Sequence, residues 1–449
     1  MVSAREVKPG MLPLPLVLVL IWIGGLPLFR LLPIHLGGVP GLTPERVAFA
    51  AALLAWAVEA LRSRRRLLAP GAIELALGIY LAAFAASWLA TWPAKDAATL
   101  KQDADFLLAC AIMPAAAFVV ARNMPWTPTR ITASLWVLVA GVGTLLAAWG
   151  LTQSLYDWGF LLPPALKEMH PDRAQGPFDN AVPYGVTLSL LLPLALVLLA
   201  RTPRRAARLA LAVLLLGLLQ GIVASKTRSV WLALPVALAL TAGSASWRRI
   251  VVGALVALLA AQVLLVPQLG FDRWGLWERL TQTRQLDDRV ALAATSATMI
   301  RARPLWGFGV GVLTFHREKA PYYSGWGRVP AEDAVYPNNP HNDVLNVLVM
   351  LGIPGLVVWL AVVVAAWRLL ATRRRSADAR TAELAAGVQA MGLVLLINGQ
   401  FHSVLHMSFA LVLLWFCIGM LAAAPLSAAP QAVPAPALVA GGAAVRGTR

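Results

Sequence analysis

The chain has 449 residues, of which 59% are hydrophobic and 13% charged, with a formal net charge of +17. Together with a mean hydropathy of +0.71, these values exclude fibrous, disordered and small secreted classes and describe an all-α polytopic membrane protein. The two cysteines, Cys110 and Cys417, lie inside apolar runs and offer neither a disulfide framework nor a thiolate metal cluster.

A hydrocarbon core about 30 Å thick asks for roughly 20 apolar residues per helix, because lipid gives backbone groups no partner outside the helix. About twelve runs meet this requirement, near 12–33, 44–61, 71–92, 105–122, 131–153, 181–200, 208–224, 229–245, 249–268, 343–367, 383–401 and 403–424. Arg5 and Lys8 precede the first run in the manner of a signal peptide. The run is long and no small-residue cleavage site follows, so it reads as an uncleaved first span.

Sorting the charges by alternate connections puts 21 of the 38 basic residues and 5 of the 21 acidic ones on one side. That side is therefore cytoplasmic, both termini lie inside and the longer connections face out. The arginine runs are topology anchors, not a nucleic-acid patch.

The spans and loops divide the chain into 1–268, with nine spans and an outward loop at 154–180; 269–342, a large outward loop; 343–424, with three more spans; and a tail from 425 to 449. Long polar loops in an otherwise economical chain are where function concentrates. Helical periodicity at Trp274–Leu280 and Arg289–Ile300 predicts that the large loop is an ordered helical cap. The Ala-, Pro- and Gly-rich tail from Pro425 reads as disordered and cytoplasmic.

Three outward segments carry candidate chemistry. In Ser225-Lys226-Thr227-Arg228-Ser229-Val230-Trp231 two cations interrupt an apolar helix with no acidic residue nearby, which is costly unless an anion meets them. The bland alternative is an arginine snorkelling to lipid headgroups. The arginine fork suits phosphate oxygens, so Arg228 outranks Lys226. Arg289 follows Asp287-Asp288, either of which is able to pair with it or cap the helix instead.

Pro340-His341-Asn342-Asp343 stands where the large loop meets the next span. A histidine at that boundary suits a neutral general base, tuned by Asn342 or Asp343, or else an ordinary helix-start residue. The turn Pro304-Leu305-Trp306-Gly307-Phe308-Gly309-Val310-Gly311 lacks the strand and the Lys-Ser/Thr of a nucleotide loop. His402 and His406 have a metal-compatible spacing but no third ligand, and no metal or other cofactor is expected.

In this order and spacing, Ser225-x-x-Arg228-x-x-Trp231, Arg289, Pro304 with Gly307-x-Gly309, His341-Asn342 and Leu351-Gly352-x-Pro354-Gly355 resemble the O-antigen ligase and polymerase superfamily. Arg173-Ala174-Gln175-Gly176-Pro177-Phe178-Asp179-Asn180 is similar to that family's Arg–Gly–Phe–Asn segment. The resemblance covers about 170–360 in motif. It implies a fold similar to GT-C-type polyprenyl-phosphate-dependent glycosyltransferases, in the bacterial inner membrane with the active site facing the periplasm.

What the resemblance implies for activity is transfer of an O-antigen glycan from undecaprenyl diphosphate to lipid A–core. His341 takes the place of the essential histidine, and Arg228 and Arg289 that of the diphosphate-binding arginines, with Lys226, Asn342, Arg173 and Asn180 in support. Lys226-Thr227 departs from many members.

The residues suit that chemistry independently: a base for the acceptor hydroxyl and cations for a departing diphosphate, with inversion and no metal. The outward acidic pairs Asp287-Asp288 and Glu332-Asp333 are the alternatives for a retaining mechanism or a metal. An O-antigen polymerase shares the donor, and a lipid-linked glycan flippase or transporter would use the arginines without chemistry. The late position of the large loop favours the ligase.

Overall fold

The computed structural model describes residues 12–29, 42–63, 71–156, 160–161, 173–242, 284–322 and 339–423. Its helices are α1 (Leu14–Phe29), α2 (Pro44–Arg62), α3 (Ala72–Thr91), α4 (Ala97–Arg122), α5 (Pro128–Leu155), α6 (Ala181–Arg201) and α7 (Arg205–Ala224). After them come α8 (Arg228–Thr241), α9 (Arg284–Ala302), α10 (Thr314–Glu318), α11 (Asp343–Arg374), α12 (Ala379–Asn398) and α13 (Ser408–Ala423). No strand occurs among the described residues.

Seven of these helices are long and apolar enough to cross a membrane, with α3 lengthened by the turn Trp92–Ala94, and α1, α8 and α13 are shorter apolar helices. Eleven of the twelve expected runs coincide with helices. The ninth, 249–268, lies outside the described residues, as do Trp274–Leu280 and the tail.

Lipid contact is written on the surface. Leu209, Val213 and Leu216 of α7 and Val357, Leu360 and Val364 of α11 are exposed at helical spacing. Such apolar faces would be a liability in water and are natural against acyl chains. The opposite case is α6, apolar around its whole circumference and buried along most of its length. It is the central post, with α7, α12 and α13 packed against it. Elsewhere α13 packs on α4, α8 on α12, and α11 on α3 and α12.

Helix α11 is broken once. Gly352 stands at φ 69°, ψ −168°, a backbone region open essentially to glycine, and Pro354 has no N–H with which to continue the ladder. The loop after α9 uses the groups freed at the break: Phe308 N–H donates to Val349 O at 2.8 Å and Gly309 N–H to Met350 O at 3.2 Å, while Ile353 N–H donates to Pro304 O at 2.7 Å. The fit is reciprocal. A Cβ on Gly307 would meet Met350 O at 2.5 Å, and one on Gly352 would meet Pro304 O at 2.6 Å. The glycine-rich turn is thus a backbone docking strip that seats the cap on α11.

A buried ion cluster makes a second attachment. Asp103 of α4 is fully buried, with Lys95 Nζ at 2.6 Å and Arg317 Nη2 of the cap at 3.5 Å. Lys95 Nζ also donates to Val310 O at 3.3 Å. Removing one partner from such a cluster strands a buried charge, so the cap is held to α4 as well as to α11.

Gly352→Ala should cost about 2–4 kcal/mol and lower the melting temperature in detergent. Gly392→Ala in α12, where a Cβ meets nothing within 4 Å, should leave it unchanged or slightly raised. Equal melting of the two variants would contradict the docking role of the break.

Candidate active site

The residues singled out by sequence gather where α7 and α12 end, α6, α8, α11 and α13 begin, and the first turns of α9 pass. Between α7 and α8 the chain turns through Ser225, Lys226 and Thr227. Lys226 has φ 49°, a left-handed conformation that a side chain resists. Arg173 holds this turn: its Nε donates to Ser225 O at 2.9 Å and its Nη2 to Thr227 Oγ1 at 3.1 Å, while Ala174 N–H donates to Ala224 O at 3.0 Å. Ser225 Oγ donates to Ile222 O at 2.7 Å.

Lys226 is buried and Arg228 half-buried. Both stand at the start of α8, where the unsatisfied N–H groups already carry positive partial charge. The two cations add to that positive potential, which is complementary to an anion.

Arg289 lies inside α9, which begins five residues before the Arg289–Ile300 periodicity. Its Nη1 donates to His341 O at 3.1 Å and to Phe401 O. Burial pulls its guanidinium down to about 10, with Asp288 acting to raise it and Arg228 to lower it. The residue is a cation at neutral pH and stands within electrostatic reach of Arg228. The alternative of simple pairing with Asp288 is incomplete, since the Nη1 hydrogen bonds go to carbonyls.

His341 is a second side chain on a left-handed backbone, at φ 54°. Strain of this kind concentrates at functional positions. Its N–H donates to Asn339 Oδ1 at 2.9 Å, and Ser403 Oγ donates to the same oxygen at 2.8 Å. Its ring lies 6.3 Å from that of His402, at 85°. Burial, then Arg289 and His406, push the His341 imidazole down to about 3, so at neutral pH it carries a free lone pair. His402 is held well below its usual range by burial, then by Arg289, His341 and Arg173.

His341 and His402 open onto a cleft of about 360 Å³ that Asp179, Asn180, Asn339 and Ser403 also line. The supporting residues have definite tasks. Asn180 caps α6 by accepting from Val182 N–H at 2.9 Å. Asn342 caps α11 by accepting from Leu345 N–H at 3.0 Å, and its amide donates to Gln400 O at 3.2 Å. Asn342 therefore sets the angle of α11 and does not tune the His341 ring.

Asn339 was not picked out by sequence, and His402 only as half of a possible metal pair. The one available signal for Asn339 is its place before Pro340 in a turn-forming pair. His406, read as half of a possible metal pair, has Asn346 Nδ2 2.9 Å from its Nε2 and its ring edge on Phe106. Among the described residues no three His, Cys, Asp or Glu side chains come together as metal ligands do.

A histidine whose folded pKa lies below its ordinary 6.5 contributes stability that is complete above pH 6.5 and lost as pH falls from there towards about 3. A reaction that uses the His341 lone pair should accordingly show no acid limb near pH 6.5 in kcat/KM, keeping most of its pH 7.5 value at pH 5.5. A limb centred at 6.5 would mean that His341 is open to water.

Residues 214–360, about a third of the chain, match the O-antigen ligase family model. No curated protein matches the chain. The matched segment contains the Lys226–Arg228 turn, Arg289, the docking strip, His341 and the broken start of α11. In that segment, within a multi-pass helical protein, the chain is similar to the O-antigen ligase family.

Proposed function

We propose that the protein is an O-antigen ligase, which moves a glycan from undecaprenyl diphosphate to lipid A–core on the periplasmic face of the bacterial inner membrane. In this reading the chain makes twelve spans with both termini in the cytoplasm, in an arrangement like that of GT-C enzymes. The observation that carries it is the placement of His341 on the cleft with its backbone carbonyl accepting from Arg289, which in turn is within electrostatic reach of Arg228. A base and a pair of cations at one site are what glycosyl transfer from a diphosphate requires.

The acceptor hydroxyl oxygen attacks the anomeric carbon, the bond from that carbon to the diphosphate oxygen breaks, and the hydroxyl proton passes to an imidazole nitrogen of His341. The departing diphosphate carries about three negative charges. Arg228, Lys226 and the remaining donors of Arg289, Nε and Nη2, stabilise the charge that develops on the leaving oxygen, a role filled elsewhere by Mg²⁺. A direct displacement of this kind inverts the anomeric centre and forms no covalent intermediate.

Purified protein supplied with undecaprenyl-diphosphate-linked glycan and lipid A–core should attach glycan to lipid A–core. Chain growth on the donor alone would move the assignment to the polymerase, and no chemistry with either would move it to a transporter. Arg228→Ala and Arg289→Ala should each lower transfer about 100-fold or more. Lysine at either position should recover only part of that, because it lacks the planar fork. Full activity of both lysine variants would contradict diphosphate recognition by the arginines.

A further inference from the structure

His402 is an imidazole in the cleft that the transfer chemistry leaves without a task. Two separate polar clamps hold it in register with His341. Arg289 Nη1 donates to His341 O and to the carbonyl of Phe401, the residue before His402. Asn339 Oδ1 accepts from His341 N–H and from Ser403 Oγ, the residue after it. The His402 backbone is fixed too, its N–H donating to Asn398 O at 2.9 Å and its carbonyl accepting from Val404 N–H at 3.1 Å.

The ring itself is treated differently from that of its neighbour. His406 is bonded to Asn346 and packed on Phe106, as a structural histidine should be. The His402 ring has no hydrogen-bond partner among the described residues, and it lines the cleft beside His341.

The cleft walls identify what would meet it. Asp179, Asn180, Asn339 and Ser403 line it with carboxylate, amide and hydroxyl groups. A neutral imidazole is donor at one nitrogen and acceptor at the other, which matches sugar hydroxyls in both roles. Neutral hydrogen-bonding groups predominate in this cleft, which suits it to an uncharged part of a glycan and leaves the donor's anion to Arg228 and Arg289.

We propose that His402 binds the acceptor sugar, holding a ring hydroxyl adjacent to the one that His341 deprotonates, so that the two imidazoles together fix which hydroxyl attacks. This rests on the transfer reading in which His341 is the base.

The test is binding of a dephosphorylated core oligosaccharide to the full-length protein in detergent, without donor, for wild type, His402→Ala and His402→Gln. His402→Ala should weaken binding about tenfold, and His402→Gln, which keeps a hydrogen-bonding side chain, should stay within about threefold of wild type. In transfer assays the acceptor KM should rise by the same factor while the donor KM is unchanged.

Wild-type binding by His402→Ala, or no binding by the wild type, overturns the proposal. So does an equal loss in both variants accompanied by a lowered melting temperature. Oligosaccharide binding that depends on His402 without any glycan transfer would instead overturn the transfer reading and leave the sugar site standing. Transfer that needs His341 and is indifferent to His402→Ala would do the reverse.

Discussion

One guanidinium nitrogen ties one face of the helical bundle together. Arg289 Nη1, on the cap helix α9, donates to the carbonyls of His341 ahead of α11 and of Phe401 between α12 and α13. Both carbonyls lie beyond the ends of helical ladders, where membrane-protein backbone has lost its internal partners. By supplying a donor to each, the arginine joins three segments that share no regular structure. It also sets a positive charge against the imidazole that it positions, and this adds to burial in keeping His341 unprotonated.

The rest of the cap is arranged so that this contact holds. The strip Pro304–Gly311 docks on the break in α11 through three backbone hydrogen bonds, and Arg317 reaches the buried Asp103 of α4. A kink in a spanning helix is tolerated where its freed carbonyls find donors; here the cap provides them. The same device that bends α11 therefore carries α9, and with it Arg289, to the top of the bundle. Arg173 does the corresponding work for the other cations, since the turn that presents Lys226 and Arg228 is bonded to it at two points.

Much of this was legible in the sequence, because lipid imposes long apolar runs and charge bias reports sidedness. The helices other than α9 and α10 follow those runs closely, and the Arg289–Ile300 periodicity became part of α9. His341, Arg228 and Arg289 stood out as polar groups at membrane boundaries with no evident compensation. What composition could not convey was long-range hydrogen bonding. Arg289 bonds to carbonyls 52 and 112 residues away, and a carbonyl carries no residue identity. The task of Asn342 was misread for the same reason: its partners are a local N–H and the Gln400 carbonyl, not the neighbouring imidazole. His402 was read only as half of a metal pair because its place in the cleft depends on two clamps on its flanking residues, and the turn glycine Gly307 gave no sign of its close approach to Met350 of α11.

The central claim is that a neutral His341 takes the acceptor proton while arginines hold the leaving diphosphate. It is tested most directly by single-turnover transfer in EDTA with purified wild type and His341→Ala, using undecaprenyl-diphosphate-linked glycan and lipid A–core. Glycan on lipid A–core with the wild type and none with a folded, donor-binding His341→Ala protein is the result predicted. Near-normal transfer by that variant would contradict the claim.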